Sequence, residues 1–364
     1  MSPLLQEIRR NRLLWLLALL PVLAGACAIR PDAHVLLFVL SVLTIVPLAA
    51  LLSHATESVA AKTGDAVGGL LNATLGNLTE LIIALTALRA GQYVLVKASL
   101  AGAIVTNTLF MLGMSFLLGG LKHHLQEYNR NSARLQAGLL FLATVALLIP
   151  SMLVDKTSTP AGRDFTQSLS LGLALLLIVS YALGMLFSLK THRALFDAPK
   201  HQEEGGAWPI GLALALLAGV TVCVALVSEV FVESVQHAAE AFGISPAFVG
   251  FIIVALVGGA AEMASAFSGA RKNRLDLSVG IALGSASQIA LFVAPALVLL
   301  SYVLGPSPMN LQFWPAAVAM MLIATTTASF VTSNGRSAWF VGVLLLNVYL
   351  VFALTLYLLP PRVD

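Results

Sequence analysis

The stretch Val67-Gly68-Gly69-Leu70-Leu71-Asn72-Ala73-Thr74-Leu75-Gly76-Asn77-Leu78-Thr79-Glu80 ends an apolar run on an acid, and a second stretch repeats its plan. That second stretch is Val249-Gly250-Phe251-Ile252-Ile253-Val254-Ala255-Leu256-Val257-Gly258-Gly259-Ala260-Ala261-Glu262. At a constant offset of 182 residues, Val67, Gly68, Gly76 and Glu80 fall on Val249, Gly250, Gly258 and Glu262. An ionisable side chain at membrane depth costs several kcal/mol unless a function retains it. Two of them at matching places point to one shared site, with a divalent cation or protons as its natural occupant.

Working outward, apolar runs of about 20 residues recur along the whole chain, the length a membrane-spanning helix needs. Of 364 residues, 59% are hydrophobic and only 10% charged, with a mean hydropathy of +0.92. A soluble domain carries roughly a quarter of charged residues. The fold class is therefore an all-α polytopic membrane protein of about eleven spans, near 13–29, 34–53, 66–88, 94–119, 134–154, 166–189, 208–228, 245–269, 277–303, 311–332 and 338–359. Unbroken runs such as Leu173-Ala174-Leu175-Leu176-Leu177-Ile178-Val179 exclude a membrane β-barrel, which alternates apolar and polar residues. The first run follows Arg9, Arg10 and Arg12 and imitates a signal peptide, but its apolar stretch is long for one and reads as a retained helix. Cys27 and Cys223 lie inside spans without ligand spacing and read as small hydrophobes.

A net charge of +3 does not call for nucleic acid, because the basic residues follow topology. With the N-terminus inside, 14 of the 20 Lys and Arg fall in inner segments, which places the N-terminus in the cytoplasm and the last span's end outside. The localisation expected is an integral protein of a bacterial inner membrane, with lipid as its surroundings. Self-association into a homo-oligomer is left open.

Setting the first helix (1–33) aside, the rest divides into a five-helix repeat over 34–190, a cytoplasmic linker over 191–207 and a second five-helix repeat over 208–364. Five is odd, so the second repeat enters the membrane inverted, an arrangement that puts a transporter's substrate at the repeat interface near the midplane. Two further pairings support duplication. Leu51–Val59 resembles Leu226–Val235, and Ser99–Asn107 resembles Ser278–Gln288. The linker holds Pro199, Glu203, Glu204, Gly205 and Gly206 and reads as a solvated connector.

On a continuous helix Thr74, Asn77 and Glu80 share a face, offering a hydroxyl, an amide oxygen and a carboxylate. Gly76 and Gly258 permit close helix approach or unwound backbone that presents carbonyls. Asn107 in one half, and Ser285 and Gln288 in the other, come from the span after each glutamate. All these donors are oxygens, which favours hard cations such as Ca²⁺ over zinc or copper. Two carboxylates neutralise one divalent ion and lower the cost of holding it at low dielectric. Once the ion leaves, neighbouring buried carboxylates cannot both stay ionised cheaply and take up protons, so metal and proton compete. The bland alternative is that each glutamate pins one helix to another through hydrogen bonds. Glu57, Glu229 and Glu233 sit at helix ends at matching places, where proton-accepting or gating roles and ordinary interfacial charges are equally compatible. His54 and the pair His123-His124 read as solvated.

At these residues the chain resembles the Ca²⁺/H⁺ antiporter (CAX) group of the calcium/cation antiporter superfamily. Gly69 through Ala84 is very close to that group's first signature, and Ala98–Asn107, Phe248–Gly250, Gly284-Ser285 and Gln288–Leu291 also look like it. The resemblance implies Ca²⁺ exchange against H⁺ by alternating access, with Ca²⁺ as transported substrate, no organic cofactor, and Glu80 and Glu262 as central carboxylates. The chain departs from the second signature in having Gly259 where the group usually has Asn, and Met263 where it has His. A Na⁺-driven or broad-specificity divalent cation exchanger is the alternative within transport. A metal-dependent intramembrane hydrolase is the alternative outside it, disfavoured because, apart from Lys97 and Arg134 near span ends, no Arg or Lys lies inside a span to grip phosphate.

Overall fold

The computed structural model describes residues 3–63, 65–152, 160–191 and 208–359, and the linker's 192–207 lie outside the described residues. A short α1 (Pro3–Arg10) leads into α2 (Arg12–Ile29), which lies on α3 (His34–Lys62) and buries Leu14 and Leu23. Next come α4 (Asp65–Leu75), α5 (Leu78–Arg89), α6 (Tyr93–His123), α7 (Arg130–Ser151) and α8 (Pro160–Leu186). The second half holds α9 (Ile210–Phe242), the bent pair α10 (Pro246–Gly258) and α11 (Ala260–Arg271), then α12 (Leu275–Leu304), α13 (Pro315–Thr332) and α14 (Trp339–Leu358).

Among the described residues nine helices are long and apolar enough to cross a membrane, and α10 with α11, bent by 58° at Gly259, makes a tenth. The eleventh expected span, 66–88, is divided into α4 and α5, of 11 and 12 residues, each too short alone. The physical reason lies in the quoted motif. Gly76 has the weakest helix propensity short of proline, and Asn77 is itself a poor residue for a helix interior. Hydropathy continues through this point, but the backbone ladder does not.

The two long helices α3 and α9, 29 and 33 residues, pack along one another. At 1.5 Å rise they extend about 44 and about 50 Å, more than a bilayer's hydrocarbon of roughly 30 Å, so they tilt or project. His34 stacks on His237 at 4.1 Å, Phe38 on Phe231 at 5.4 Å, and Ser58 Oγ accepts from the Trp208 amide at 3.3 Å, so the pair runs antiparallel. Deeper in the bundle α6 crosses the first part of α10 so closely that a Cβ at Gly102 would fall 2.1 Å from the Phe251 carbonyl oxygen. Only glycine permits that approach.

One end of the bundle is tied by polar contacts. Strands β1 (Leu125–Glu127) and β2 (Arg336–Ala338) pair antiparallel, with Glu127 opposite Arg336 and an ion pair of 2.7 Å between them. Gln126 Nε2 donates to the Ala270 carbonyl at 2.9 Å, and Lys122 Nζ to that of Arg271 at 3.0 Å. Three inter-helix connections, which with their flanking helix ends carry Lys122, Arg130, Arg271, Lys272, Arg274 and Arg336, thus meet on one side. At the opposite end Tyr93 donates to the Ser307 carbonyl at 2.6 Å and Lys97 to Asn310 Oδ1 at 2.6 Å.

Candidate functional site

Both glutamates stand in the first turn of a helix that restarts after a break, Glu80 in α5 after Gly76-Asn77 and Glu262 in α11 after Gly259. The breaks lie against each other. A Cβ at Gly258 would come within 3.0 Å of Glu80 Cγ and 3.4 Å of its Cδ, and one at Gly259 within 3.6 Å of Glu80 Oε1. The carboxylate of one half is therefore seated on the interruption of the other. Oε2 of each central glutamate is buried with no hydrogen-bond partner among the described residues. Burying an acceptor without a partner is costly, and a positively charged ligand or a proton relieves that cost.

Neutral oxygens wall this spot as a connected string. Asn107 Nδ2 donates to Ser285 Oγ at 2.9 Å, Ser285 Oγ donates to Asn77 Oδ1 at 2.6 Å, and Asn77 Nδ2 donates to Gln288 Oε1. Asn77 and Asn107 are buried, and the Asn77 side chain does not cap α5. The string links α5, α6 and α12, so it spans the two halves. Each carbonyl oxygen in it keeps a second lone pair free for another donor or a cation. Asn107 lies in a π-helical segment of α6 (Thr106–Met111), and Gln288 directly precedes the one in α12 (Ile289–Val293). Such segments recur at functional sites because they widen the helix locally. Thr106 donates instead to the Tyr349 hydroxyl at 3.3 Å.

A cavity of about 820 Å³ leads from this spot toward the end carrying the small sheet. Glu262, Gly76, Asn77, Ser285 and Gln288 line it together with Glu57 of α3 and with Glu127, Asn129 and Asp276 beside the sheet. Ser53 Oγ donates to Glu57 Oε1 at 3.2 Å. A separate hollow of about 230 Å³ at the other end is lined by Thr86, Arg89, Glu229 and Glu233. The three outlying acids of the sequence are thus divided, one lining the large cavity and two around the smaller hollow.

Thr74 is not among the residues lining the cavity, and its hydroxyl donates to the Leu70 carbonyl one turn back at 2.8 Å. Asn72, Ser132 and Gln136 line the cavity although nothing in the sequence reading pointed to them. Ser132 and Gln136 are four apart at the start of an apolar span and hydrogen-bonded to each other at 3.2 Å, a spacing that signals one polar face. Among the described residues no three His, Cys, Asp or Glu gather around a metal position, and the polar groups brought together here are two carboxylates, three amides and a hydroxyl. At the departing positions, Met263 is buried and its Cε would lie 3.3 Å from a Gly259 Cβ. The thioether fills the space beside the break.

A family model described as sodium/calcium exchanger protein matches residues 33–190 and, again, 212–358. A Ca²⁺/H⁺ antiporter of Aphanothece halophytica is 39% identical over 342 residues, covering 90% of this chain and 91% of the relative. The Ca²⁺/H⁺ antiporter ChaA of Bacillus subtilis (strain 168) is 41% identical over 328 residues, covering 89% and 92%. A crystal structure of the Ca²⁺/H⁺ antiporter protein YfkE superposes with a TM-score of 0.82 at 37% identity, covering 96% of this chain and all of that one.

Proposed function

Since the chain belongs to the sodium/calcium exchanger family, we propose that it is a secondary transporter that exchanges Ca²⁺ for H⁺, with Glu80 and Glu262 as the shared cation and proton site. The observation that carries this reading is the seating of Glu80 on the Gly258-Gly259 break, three residues from Glu262, with an unpartnered buried oxygen on each acid. Two carboxylates balance one divalent ion, and amide oxygens at Asn77, Gln288 and Asn107 with the Ser285 hydroxyl complete an all-oxygen shell suited to a hard cation. Ca²⁺ leaving that shell strands two acids at low dielectric, and they take up protons. Occupation by metal or by protons, never neither, couples the two fluxes.

The duplicated family match and the antiparallel α3–α9 pair support two inverted repeats, 34–190 and 208–364, following the N-terminal helix. Access alternates between the large cavity, which Glu57 lines, and the hollow flanked by Glu229 and Glu233. The Lys- and Arg-bearing connections around the large cavity face the cytoplasm of a bacterial inner membrane, with the N-terminus on that side. Sodium coupling finds no support in further acids at the level of Glu80 and Glu262 among the described residues.

Reconstitution into vesicles with an imposed pH gradient tests the proposal. Ca²⁺ flux that follows the gradient, and vanishes in both Glu80→Gln and Glu262→Gln, is the expected result. Flux that follows a Na⁺ gradient and ignores pH would overturn it.

A further inference from the structure

Helix α7 presents a polar face and, on its other side, a mainly apolar one. Ser132 and Gln136 look into the ion cavity, whereas Arg134, Ala137, Gly138 and Phe141 form the wall of a groove on its other side. Thr326, Ser329, Phe330 and Ser333 of α13 and its C-cap make the opposite wall, and the groove holds about 420 Å³. On each side these four residues follow the i, i+3, i+4, i+7 pattern, so the groove runs along both helix axes, as an acyl chain in a bilayer does. Phe330 is 74% exposed and nothing stands within 4 Å of a Cβ at Gly138, so the groove opens to the surroundings of the bundle. Ser329 Oγ donates to the Ala137 carbonyl at 3.4 Å, closing the floor.

The groove is chemically graded. Arg134 and Ser333 lie at one end, where the first turns of α7 meet the last of α13, and Phe141 and Thr326 lie deeper. That end belongs to the side of the bundle where the Lys- and Arg-bearing connections gather. Arg134 is exposed and makes no ion pair among the described residues. It also stands near the N-terminus of α7, whose dipole adds positive potential. A cationic fork above an apolar trough between two membrane helices fits a phosphodiester headgroup with its chain below it.

We infer that the α7–α13 groove is a binding site for an anionic glycerophospholipid of the leaflet on the arginine-rich side, with Arg134 holding the headgroup phosphate and Gly138 leaving room for the acyl chain. This site is independent of the ion exchange, although it shares α7 with the ion cavity.

Native mass spectrometry of the purified full chain, released from nanodiscs of equal phosphatidylglycerol and phosphatidylethanolamine, tests it. The wild-type protein retains phosphatidylglycerol preferentially, Arg134→Gln lowers that preference about five-fold, and Gly138→Trp removes bound lipid of either headgroup. Arg30→Gln, at the far end of α2, leaves retention unchanged. Equal retention by wild type and Arg134→Gln overturns the inference, as does absence of headgroup preference in the wild type. Gly138→Trp provides an independent test if Arg134→Gln fails to fold, and a wild-type adduct pattern in that variant also overturns it.

Discussion

Replacing Gly258 by Ala adds one methyl group at the point where the two halves meet most tightly. That methyl would stand 3.0 Å from Glu80 Cγ and 3.4 Å from its Cδ. Relief to an ordinary contact near 3.7 Å requires the Glu80 stem to retreat by roughly 0.7 Å, which exceeds the tolerance of about 0.5 Å for a well-positioned functional group. Ca²⁺–oxygen distances cluster within a few tenths of an ångström, so one ligand of the shell is lost or lengthened. The expected consequence is a rise of about ten-fold in the apparent KM for Ca²⁺, corresponding to about 1.4 kcal/mol. Folding should not suffer in parallel. Gly258 ends α10, where Ala is favoured over Gly by up to about 1 kcal/mol, offsetting most of the crowding. Gly259→Ala is the matched comparison, since its methyl would press on the Ala255 carbonyl oxygen and the Met263 tip, each at 3.3 Å, and stand 3.6 Å from Glu80 Oε1. The assay is Ca²⁺ uptake into vesicles at fixed pH gradient, with thermal stability measured on the same samples. A folded Gly258→Ala protein with wild-type KM would show that the seating of Glu80 has no part in ion binding.

Ser285→Ala leaves buried Asn77 Oδ1 without its donor, at a cost of about 1–3 kcal/mol, and should lower Ca²⁺ affinity by ten-fold or more in isothermal titration. Protons compete with Ca²⁺ for the same acids, so acidifying the side onto which the large cavity opens should weaken Ca²⁺ binding there. The slope approaches about ten-fold per pH unit for each proton displaced, and a pH-independent affinity would contradict the competition. Glu57→Gln should slow loading from the large-cavity side only, and Glu233→Gln from the opposite side only, as read from oriented vesicles with Ca²⁺ presented on either face. Thr74→Val should leave transport unchanged, because the hydroxyl is engaged within its own helix.

The membrane class and the matched glutamates are legible in the sequence because both are properties of composition and spacing. An acid in an apolar run stands out whatever the fold does around it, and Asn77, Asn107, Ser285 and Gln288 stand out as polar side chains in otherwise apolar spans. The break at Gly76-Asn77 is not legible from hydropathy, which averages across it, although the two residue types carry the signal in their helix propensities. That the amides engage one another through Ser285 is also hidden, because hydrogen-bond partners 178 to 211 residues apart depend on packing. The contribution of α7 through Ser132 and Gln136 falls in a helix without an acid, and only the bundle's arrangement turns that face inward.

Diffraction from crystals grown with Ca²⁺, with anomalous data locating the ion, addresses the shared-site claim most directly. The account predicts one ion bridging Glu80 and Glu262, with oxygen ligands at about 2.3–2.6 Å that include at least one of Asn77, Ser285 and Gln288. An ion held elsewhere in the bundle, with the two carboxylates untouched, would contradict it.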